Sequence, residues 1–202
     1  MLRPHLRTLK PYSSARDEFS GEGEVFLDAN ENPFESISGG NVNRYPDPYQ
    51  WKIKEKLSHI KRVGLDQIFL GNGSDEAIDL LFRAFCEPGK DHVMLLPPTY
   101  GMYGVSADIN GVEKRSVTLS YNFQIQTDKV VEELNEQTKL IFVCSPNNPT
   151  GNCMKTEAIV KLLENTHGLV VVDEAYIDFV EHKSHVSLLN DWPNLVILQT
   201  FS

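Results

Sequence analysis

The chain has 202 residues, 41% of them hydrophobic and 23% charged, which is the composition of a globular protein with a substantial apolar core. Its formal net charge of −9 argues against a general binding surface for nucleic acid or for an acidic membrane. Any anionic ligand must therefore be held by a few local groups rather than by the field of the whole molecule.

The cysteines and histidines argue against a disulfide-rich or metal-binding protein. Three cysteines, an odd number, form no Cys-x-x-Cys pattern, so neither a disulfide framework nor a zinc site is indicated. His182 and His185 stand three residues apart without a further ligand pattern, and we expect a loop there and no metal site. No apolar segment has the length of a signal-peptide core or of a membrane span, so we expect a cytoplasmic protein.

The first part of the chain combines irregular and helical patterns. Residues 1–40 are rich in Pro, Gly, Ser and Asn without a clear period, and they predict an extended arm. Apolar residues at helical spacing predict a helix that begins near Trp51. The short run 68–70 predicts a strand, and residues 78–85 predict a second helix that is ended by a Pro-Gly pair.

Predicted strands and helices alternate along the remainder of the chain. Helices are predicted around residues 130–134 and 158–163. Strands are predicted at residues 93–96, 116–119, 140–144, 169–172 and 196–198. This alternation predicts an α/β fold, with a mostly parallel sheet covered by helices on both faces.

Polar residues follow five of the six predicted strands, all but 116–119, at the strand ends where the ligands of open parallel sheets bind. These clusters are 71–76, 97–101, 145–151, 173–176, and Thr200 with Ser202. Each alone is consistent with a turn, and 145–151 in particular has ordinary chain-reversal chemistry. Together at one edge of one sheet they would line a single crevice for one polar, planar, anionic ligand.

The segment 71–76 is a glycine turn that leads into a helix. Ser74 is a good N-cap, and the free amides of the first helical turn, with the positive end of the helix dipole, favour a phosphate. Glu76 stands where a dinucleotide fingerprint needs its third glycine, and the segment lacks the Gly-Lys of a P-loop. A helix cap without a ligand remains the alternative.

Asp173 ends an apolar strand, where an unpaired carboxylate is costly. No basic residue lies close in sequence, so a protonated ring nitrogen of a ligand would serve as its partner. Tyr176 is placed to offer a phenol to the same ligand, and Tyr100 is suited to stack on a flat ring. A structural aspartate without a ligand is the alternative.

In their order and spacing these motifs resemble the fold-type I aminotransferases, which use pyridoxal phosphate, and within them the histidinol-phosphate branch. The resemblance runs from about Leu9 to the last residue. Its motifs are Asn30-Glu31-Asn32-Pro33, Arg44-Tyr45-Pro46-Asp47, Gly71-Asn72-Gly73-Ser74-Asp75-Glu76, Pro97-Pro98-Thr99-Tyr100-Gly101-Met102-Tyr103, Ser145-Pro146-Asn147-Asn148-Pro149-Thr150-Gly151 and Asp173-Glu174-Ala175-Tyr176.

The resemblance implies how the cofactor would be held. Asp173 would pair with the ring N–H and keep the ring cationic. Asn148 and Tyr176 would hydrogen-bond the phenolate oxygen of the ring, and Tyr100 would stack on it. The implied phosphate ligands are Ser74, the Asp75 amide, Thr200 and Ser202.

The resemblance also implies substrates and a partner subunit. It implies amino transfer between a phosphorylated amino alcohol and 2-oxoglutarate, with glutamate as the product. Tyr45 resembles the tyrosine that reaches the phosphate of the neighbouring subunit, which implies a homodimer. Tyr12, Asn30 and Asn32 resemble substrate-side residues.

The Schiff-base lysine of the family follows a Thr-x-Ser segment, and here Thr200-Phe201-Ser202 is the end of the sequence. We therefore expect that lysine directly after Ser202, and we expect this chain alone to be inactive. The implied domains are an arm and the start of a small domain at 1–40, and the first part of the cofactor-binding large domain at 41–202. The alternatives are another fold-type I enzyme, such as a threonine-phosphate decarboxylase or an aromatic aminotransferase, and a lysine-less, non-catalytic relative.

Overall fold

The chain forms two compact units. The computed structural model describes residues 1–13, 27, 29–40, 42–181 and 183–202. One unit consists of Met1–Arg7 with Gly71–Ser202, and the other is Thr8–Leu70. The boundary between the units lies at Leu70. The predicted domains, 1–40 and 41–202, stay a prediction. Much of the predicted arm, residues 14–26, lies outside the described residues.

The larger unit contains a five-stranded parallel sheet, which confirms the predicted α/β class. Its strands are β1 His92–Leu95, β2 Glu113–Ser116, β3 Thr138–Cys144, β4 Leu169–Asp173 and β5 Leu195–Leu198. The strand order is β2-β1-β3-β4-β5.

The chain contains both α-helices and short 3-10 helices. The smaller unit contains α1 Trp51–Lys61, and the larger unit contains α2 Ser74–Phe85, α3 Met102–Ile109, α4 Thr127–Glu133 and α5 Thr156–Asn165. Short 3-10 helices are Pro4–Thr8, Leu65–Gln67, Ile177–Phe179 and His185–Leu188. Within the described part of the chain, no helix combines the length and the apolarity needed to cross a membrane.

One face of the sheet packs against α2 and α3, and the other face packs against α4 and α5. The buried helix residues of the first layer are Ile78, Phe82, Tyr103 and Ala107. Those of the second layer are Val130, Ile159, Leu162 and Leu163. Successive residues of β4 point to opposite faces, so Val171 belongs to the first layer and Val172 to the second. Burial on both faces explains why β4 reads as an uninterrupted apolar run.

The direction of strand addition reverses between β1 and β3. From β1 the chain passes to the edge strand β2, and it then crosses to β3 and continues outward through β4 and β5. In parallel sheets such a reversal leaves a crevice outside the carboxyl ends of the two strands.

Two predicted strands differ from the structure. The strand predicted at 68–70 is wrong, because these residues follow the helix Leu65–Gln67 as irregular chain with Phe69 exposed. A three-residue apolar run carries too little periodicity to distinguish a strand from a loop. The strand predicted at 116–119 lies earlier, as β2, whose charged residues suit an edge strand with a single neighbour.

One helix is not predicted, and one loop prediction is wrong, where polar or small residues are buried. Helix α3 has no counterpart in the sequence prediction, although Tyr103, Ser106 and Ala107 lie buried at i, i+3 and i+4. A serine and an alanine on the buried face conceal the usual apolar stripe. The loop predicted around His182 and His185 is wrong for His185, which begins a 3-10 helix and is 2% exposed. His182 lies outside the described residues.

Candidate active site

A cleft of about 170 Å³ lies in the larger unit at the carboxyl end of the sheet. Its lining residues are Ser74, Tyr100, Cys144, Asn148, Asp173, Ala175, Tyr176, Thr200 and Ser202. Of the predicted cofactor residues in this unit, Asp75 alone is missing from that lining, and its carboxylate accepts a hydrogen bond from the Tyr100 hydroxyl at 3.3 Å. The fold thus brings together residues that lie far apart in the sequence.

Asp173 is a buried carboxylate at the end of β4. It is 2% exposed, and its Oδ2 accepts a hydrogen bond from the Tyr103 hydroxyl at 2.7 Å. Its Oδ1 accepts a bond from the backbone N–H of Ala175 at 3.1 Å. Burial raises the pKa of Asp173 despite these two hydrogen bonds. No ion pair joins Asp173 to any residue that the structure describes. Its carboxylate could therefore pair with a cationic group of a ligand in the cleft.

Tyr103 is a site residue whose role sequence reasoning missed. Its ring stacks on Phe142 with 4.5 Å between centroids, and it meets Tyr100 edge-on at 5.5 Å. Burial and the neighbouring Asp173 carboxylate raise the pKa of Tyr103, so its hydroxyl stays protonated and donates to Asp173. The available signal was a tyrosine in an apolar environment, which needs a partner for its hydroxyl.

The two asparagines of the 145–151 turn have different surroundings. Asn147 is 3% exposed, and its amide donates to the Pro98 carbonyl at 3.0 Å and to the Thr150 hydroxyl at 2.6 Å. Its Oδ1 accepts from the Thr99 hydroxyl at 3.2 Å. Asn148 lines the cleft, and its side-chain amide makes no hydrogen bond to any described residue. Asn147 therefore joins the turn to the segment after β1, whereas the amide of Asn148 is available to a ligand.

The Cys144 thiol also lines the cleft, beneath the same turn. Its Sγ accepts a hydrogen bond from the Asn148 backbone N–H at 3.4 Å and donates to the Pro146 carbonyl at 3.3 Å. Burial raises the pKa of Cys144, so the thiol stays neutral. Its contribution is to fix the backbone of Asn148.

The start of α2 differs from the prediction in one residue. Gly73, with φ of 80°, is the N-cap, and Ser74 is the first helical residue, so the prediction of Ser74 as N-cap is wrong. Glycine suits this position because L side chains are strained at positive φ. Just before the helix, the backbone N–H of Asn72 donates to the Glu76 carboxylate. Ser74 lines the cleft, at the positive end of the α2 dipole.

Thr200 and Ser202 complete the polar lining beyond β5. Their hydroxyls lie 2.8 Å apart, and the Ser202 backbone N–H donates to Thr200 Oγ1 at 3.2 Å. Among the described residues that line the cleft, none is basic. An anion would be held here by hydroxyls and amides, as the composition led us to expect.

The remaining predicted site residues lie in the smaller unit. Glu31 accepts hydrogen bonds from the Arg44 guanidinium at 3.1 Å and from the Tyr45 backbone N–H at 2.7 Å, so it joins the two motifs that carry them. The rings of Tyr45 and Tyr12 are exposed. Asn32 accepts a bond from the Phe34 backbone N–H, and Asn30 has a positive φ. The roles of Tyr12, Asn30, Asn32 and Tyr45 stay predictions.

Comparison with known proteins gives the family. Residues 21–202 match the family model described as aminotransferase class I and II. The chain belongs to this aminotransferase family. Enzymes of this family that share the fold use pyridoxal phosphate as their cofactor.

Relatives in the family are similar over nearly all of this chain. A histidinol-phosphate aminotransferase of Flavobacterium johnsoniae is 57% identical over 203 residues, which are 99% of this chain and 57% of that protein. One of Christiangramia forsetii is 55% identical over 204 residues, with 100% of this chain and 57% of that protein covered. The chain thus spans 57% of the length of these two curated relatives.

A solved aminotransferase structure shows the same fold. The histidinol-phosphate aminotransferase of Clostridium acetobutylicum has a TM-score of 0.70 with 24% identity. The match covers 80% of this chain and 48% of that one. The predicted resemblance and fold class are both confirmed.

Proposed function

We propose that the protein is a pyridoxal-phosphate-dependent aminotransferase of histidine biosynthesis. It transfers an amino group reversibly between L-histidinol phosphate and 2-oxoglutarate, and the products are imidazole-acetol phosphate and glutamate. The observation that carries this proposal is the 55–57% identity, over almost the whole chain, to curated aminotransferases of that name. The cleft supports it, because its residues fit the cofactor of the family.

The buried end of β4 fits the ring of the cofactor. When bound, pyridoxal phosphate supplies an electron-withdrawing ring that stabilises negative charge developing on the substrate carbon. Asp173, which forms no ion pair with any described residue, holds a proton on the ring nitrogen, and Tyr103 orients the carboxylate. Asn148 and Tyr176, which line the cleft, would donate to the phenolate oxygen, and Tyr100 would stack on the ring.

The start of α2 and the segment after β5 fit the phosphate. The Ser74 hydroxyl and the Asp75 backbone amide lie at the positive end of the α2 dipole. Thr200 and Ser202 add hydroxyls from the end of the sheet. The members of this phosphate site that the structure describes are neutral donors, which would hold a dianion through hydrogen bonds and the dipole.

The proposal extends to the assembly of the enzyme. We infer a cytoplasmic homodimer in which Tyr45 of one subunit reaches the phosphate bound by the other. Tyr12, Asn30 and Asn32 contact the substrate. The exposure of the Tyr45 ring, beside a backbone that is fixed by Glu31, supports such a role.

An assay of substrate choice tests the proposed function. The full-length protein, loaded with pyridoxal phosphate, is given 2-oxoglutarate and one of three amino donors, namely histidinol phosphate, phenylalanine and threonine phosphate. We expect kcat/KM to be highest for histidinol phosphate, with glutamate formed in equal amount to the oxidised product. Efficient transfer from phenylalanine with none from histidinol phosphate would contradict the proposal, as would carbon dioxide release from threonine phosphate.

A further inference from the structure

Glu174, directly after β4, is the centre of a hydrogen-bond cluster that we call the Glu174 cluster, which consists of the buried Glu174 and His185 and the half-buried Ser184 and Gln199. Its Oε1 accepts from the backbone N–H of His185 at 2.7 Å and contacts His185 Nδ1 at 2.9 Å. Its Oε2 accepts from the Ser184 hydroxyl at 2.6 Å and from Gln199 Nε2 at 2.8 Å. Glu174 is 0% exposed, so these partners replace water around a charged carboxylate.

The cluster and the cleft use neighbouring residues of the same two chain segments. Asp173 and Glu174 are consecutive, as are Gln199 and Thr200, and side chains alternate between the two sides of an extended chain. Asp173 and Thr200 line the cleft, whereas Glu174 and Gln199 bond to each other. The backbone N–H of Glu174 also donates to the Leu198 carbonyl at 2.8 Å, which joins the same two chain segments.

The cluster thus joins the two chain segments that carry the groups which the proposed function assigns to opposite ends of the cofactor. Asp173 takes the ring nitrogen, and Thr200 takes the phosphate. Each lies next to a member of the cluster, so a shift of the segment after β5 relative to β4 would change their separation. A rigid ligand that spans both groups would detect that change, whereas a ligand that touches one of them would not.

We propose that Glu174 and Gln199 are positioning residues, which set the separation of Asp173 and Thr200 and thereby couple recognition of the ring to recognition of the phosphate. This inference rests on the proposed function, since the ligand that it concerns is pyridoxal phosphate. Coupling of this kind appears only in a ligand that carries both parts, because the second part then binds at the effective concentration set by the first. Replacement of a residue with a purely structural role would lower the affinity for all ligands alike.

The test compares three ligands by calorimetric titration of the full-length apoprotein, namely pyridoxal phosphate, pyridoxal and inorganic phosphate. The Gln199→Met variant keeps the side-chain volume and removes the bonds to Glu174 and Ser184. We expect this variant to bind pyridoxal phosphate about tenfold or more weakly, a loss like that seen when a residue that orients a metal ligand is replaced. Pyridoxal and phosphate should each change by less than about threefold.

Asn194→Leu is the matched control, because Asn194 donates to the Leu163 carbonyl at 3.0 Å just before β5, at the end of that strand away from the cleft. It also removes an amide hydrogen bond next to the strand, and it should leave all three affinities within about threefold. Equal losses for all three ligands in Gln199→Met, or no loss for pyridoxal phosphate, would overturn the inference. A wild-type apoprotein that binds no pyridoxal phosphate would overturn the proposed function as well, which distinguishes the two failures.

Discussion

At the scale of single residues, the neighbours Asp173 and Glu174 have opposite electrostatic environments although both are buried. Burial raises the pKa of Asp173, since the hydrogen bonds from Tyr103 and Ala175 do not compensate for lost hydration. Burial also acts to raise the pKa of Glu174, but hydrogen bonds from His185, with those from Ser184 and Gln199, outweigh it, and the pKa of Glu174 is lowered. Asp173 is therefore the carboxyl group that gains from a cationic ligand.

These opposite shifts predict opposite effects on the stability of the apoprotein. A carboxyl group with a raised pKa costs stability at neutral pH, so Asp173→Asn should stabilise the fold, and the gain should vanish as pH falls to about 4. A group with a lowered pKa contributes stability that is lost as pH falls, so Glu174→Gln should destabilise the fold at pH 7 and less so at pH 4. We expect effects on the order of 1–3 kcal/mol in urea unfolding. A loss of stability in both variants at pH 7 would contradict this account of Asp173.

The same Asp173→Asn substitution should remove most of the catalytic activity. A neutral amide does not stabilise a proton on the ring nitrogen, and loss of one preorganised electrostatic group costs about 3–4 kcal/mol of barrier, or a factor of 10² to 10³ in kcat. The variant should still bind the cofactor, which its visible absorbance would report. Asp178→Asn, an exposed carboxyl five residues later, is the control and should keep normal turnover. Normal turnover in Asp173→Asn would show that this aspartate is structural.

At the scale of elements, the two adjacent asparagines of the turn 145–151 have different roles. One stabilises the fold, and the other is available to a ligand. Asn147 bonds to Pro98, Thr99 and Thr150, and so joins the segments that follow β1 and β3. Asn148 faces the cleft. The turn therefore holds Asn148 in place through its neighbour.

Alanine at each asparagine should separate these roles. Asn147→Ala removes bonds from a buried amide and leaves the Pro98 carbonyl without its donor, so we expect a loss of about 2–3 kcal/mol in the free energy of unfolding. Asn148→Ala should change that free energy by about 0.5 kcal/mol or less, yet weaken cofactor binding. Urea unfolding and cofactor titration of both variants give the comparison. The reverse assignment of the two effects would contradict the geometry.

The elements also show what the sequence could reveal. β3, β4 and Asp173 are predictable because a long apolar run followed by a carboxylate is a local signal. Helix α3 and Tyr103 are not, because the buried face of α3 contains Ser106 and Ala107, and the partner of Tyr103 lies seventy residues away. The burial of His185 is not predictable for the same reason, since its partner Glu174 lies eleven residues away in the sequence. Local pattern predicts elements and strand ends, whereas pairs of buried polar groups depend on tertiary contacts.

At the scale of the whole molecule, a single parallel sheet gathers groups from Ser74 to Ser202 into one cleft. Each follows the carboxyl end of a strand or lies at the start of α2. The cleft has hydroxyl, amide, phenol and carboxylate groups. Among the described residues that line it, none is a lysine.

The composition of the cleft predicts that the 202-residue chain alone performs no amino transfer. A covalent link to the aldehyde of the cofactor requires an amine, and no described lysine reaches the cleft. Glutamate formation from histidinol phosphate and 2-oxoglutarate should stay at background with this chain, whereas the full-length protein should be active. Amino transfer by the 202-residue chain would contradict this prediction, because the amine would then have to come from a residue outside the described lining of the cleft.

The most direct test of the central claim, that this cleft binds pyridoxal phosphate through Asp173 and the start of α2, is a crystal structure of the full-length protein with the cofactor. We predict the ring nitrogen within about 2.7–3.2 Å of the Asp173 carboxylate, and the phosphate within the same distance of the Ser74 hydroxyl. A cofactor bound elsewhere, or one whose ring nitrogen faces away from Asp173, would contradict the account.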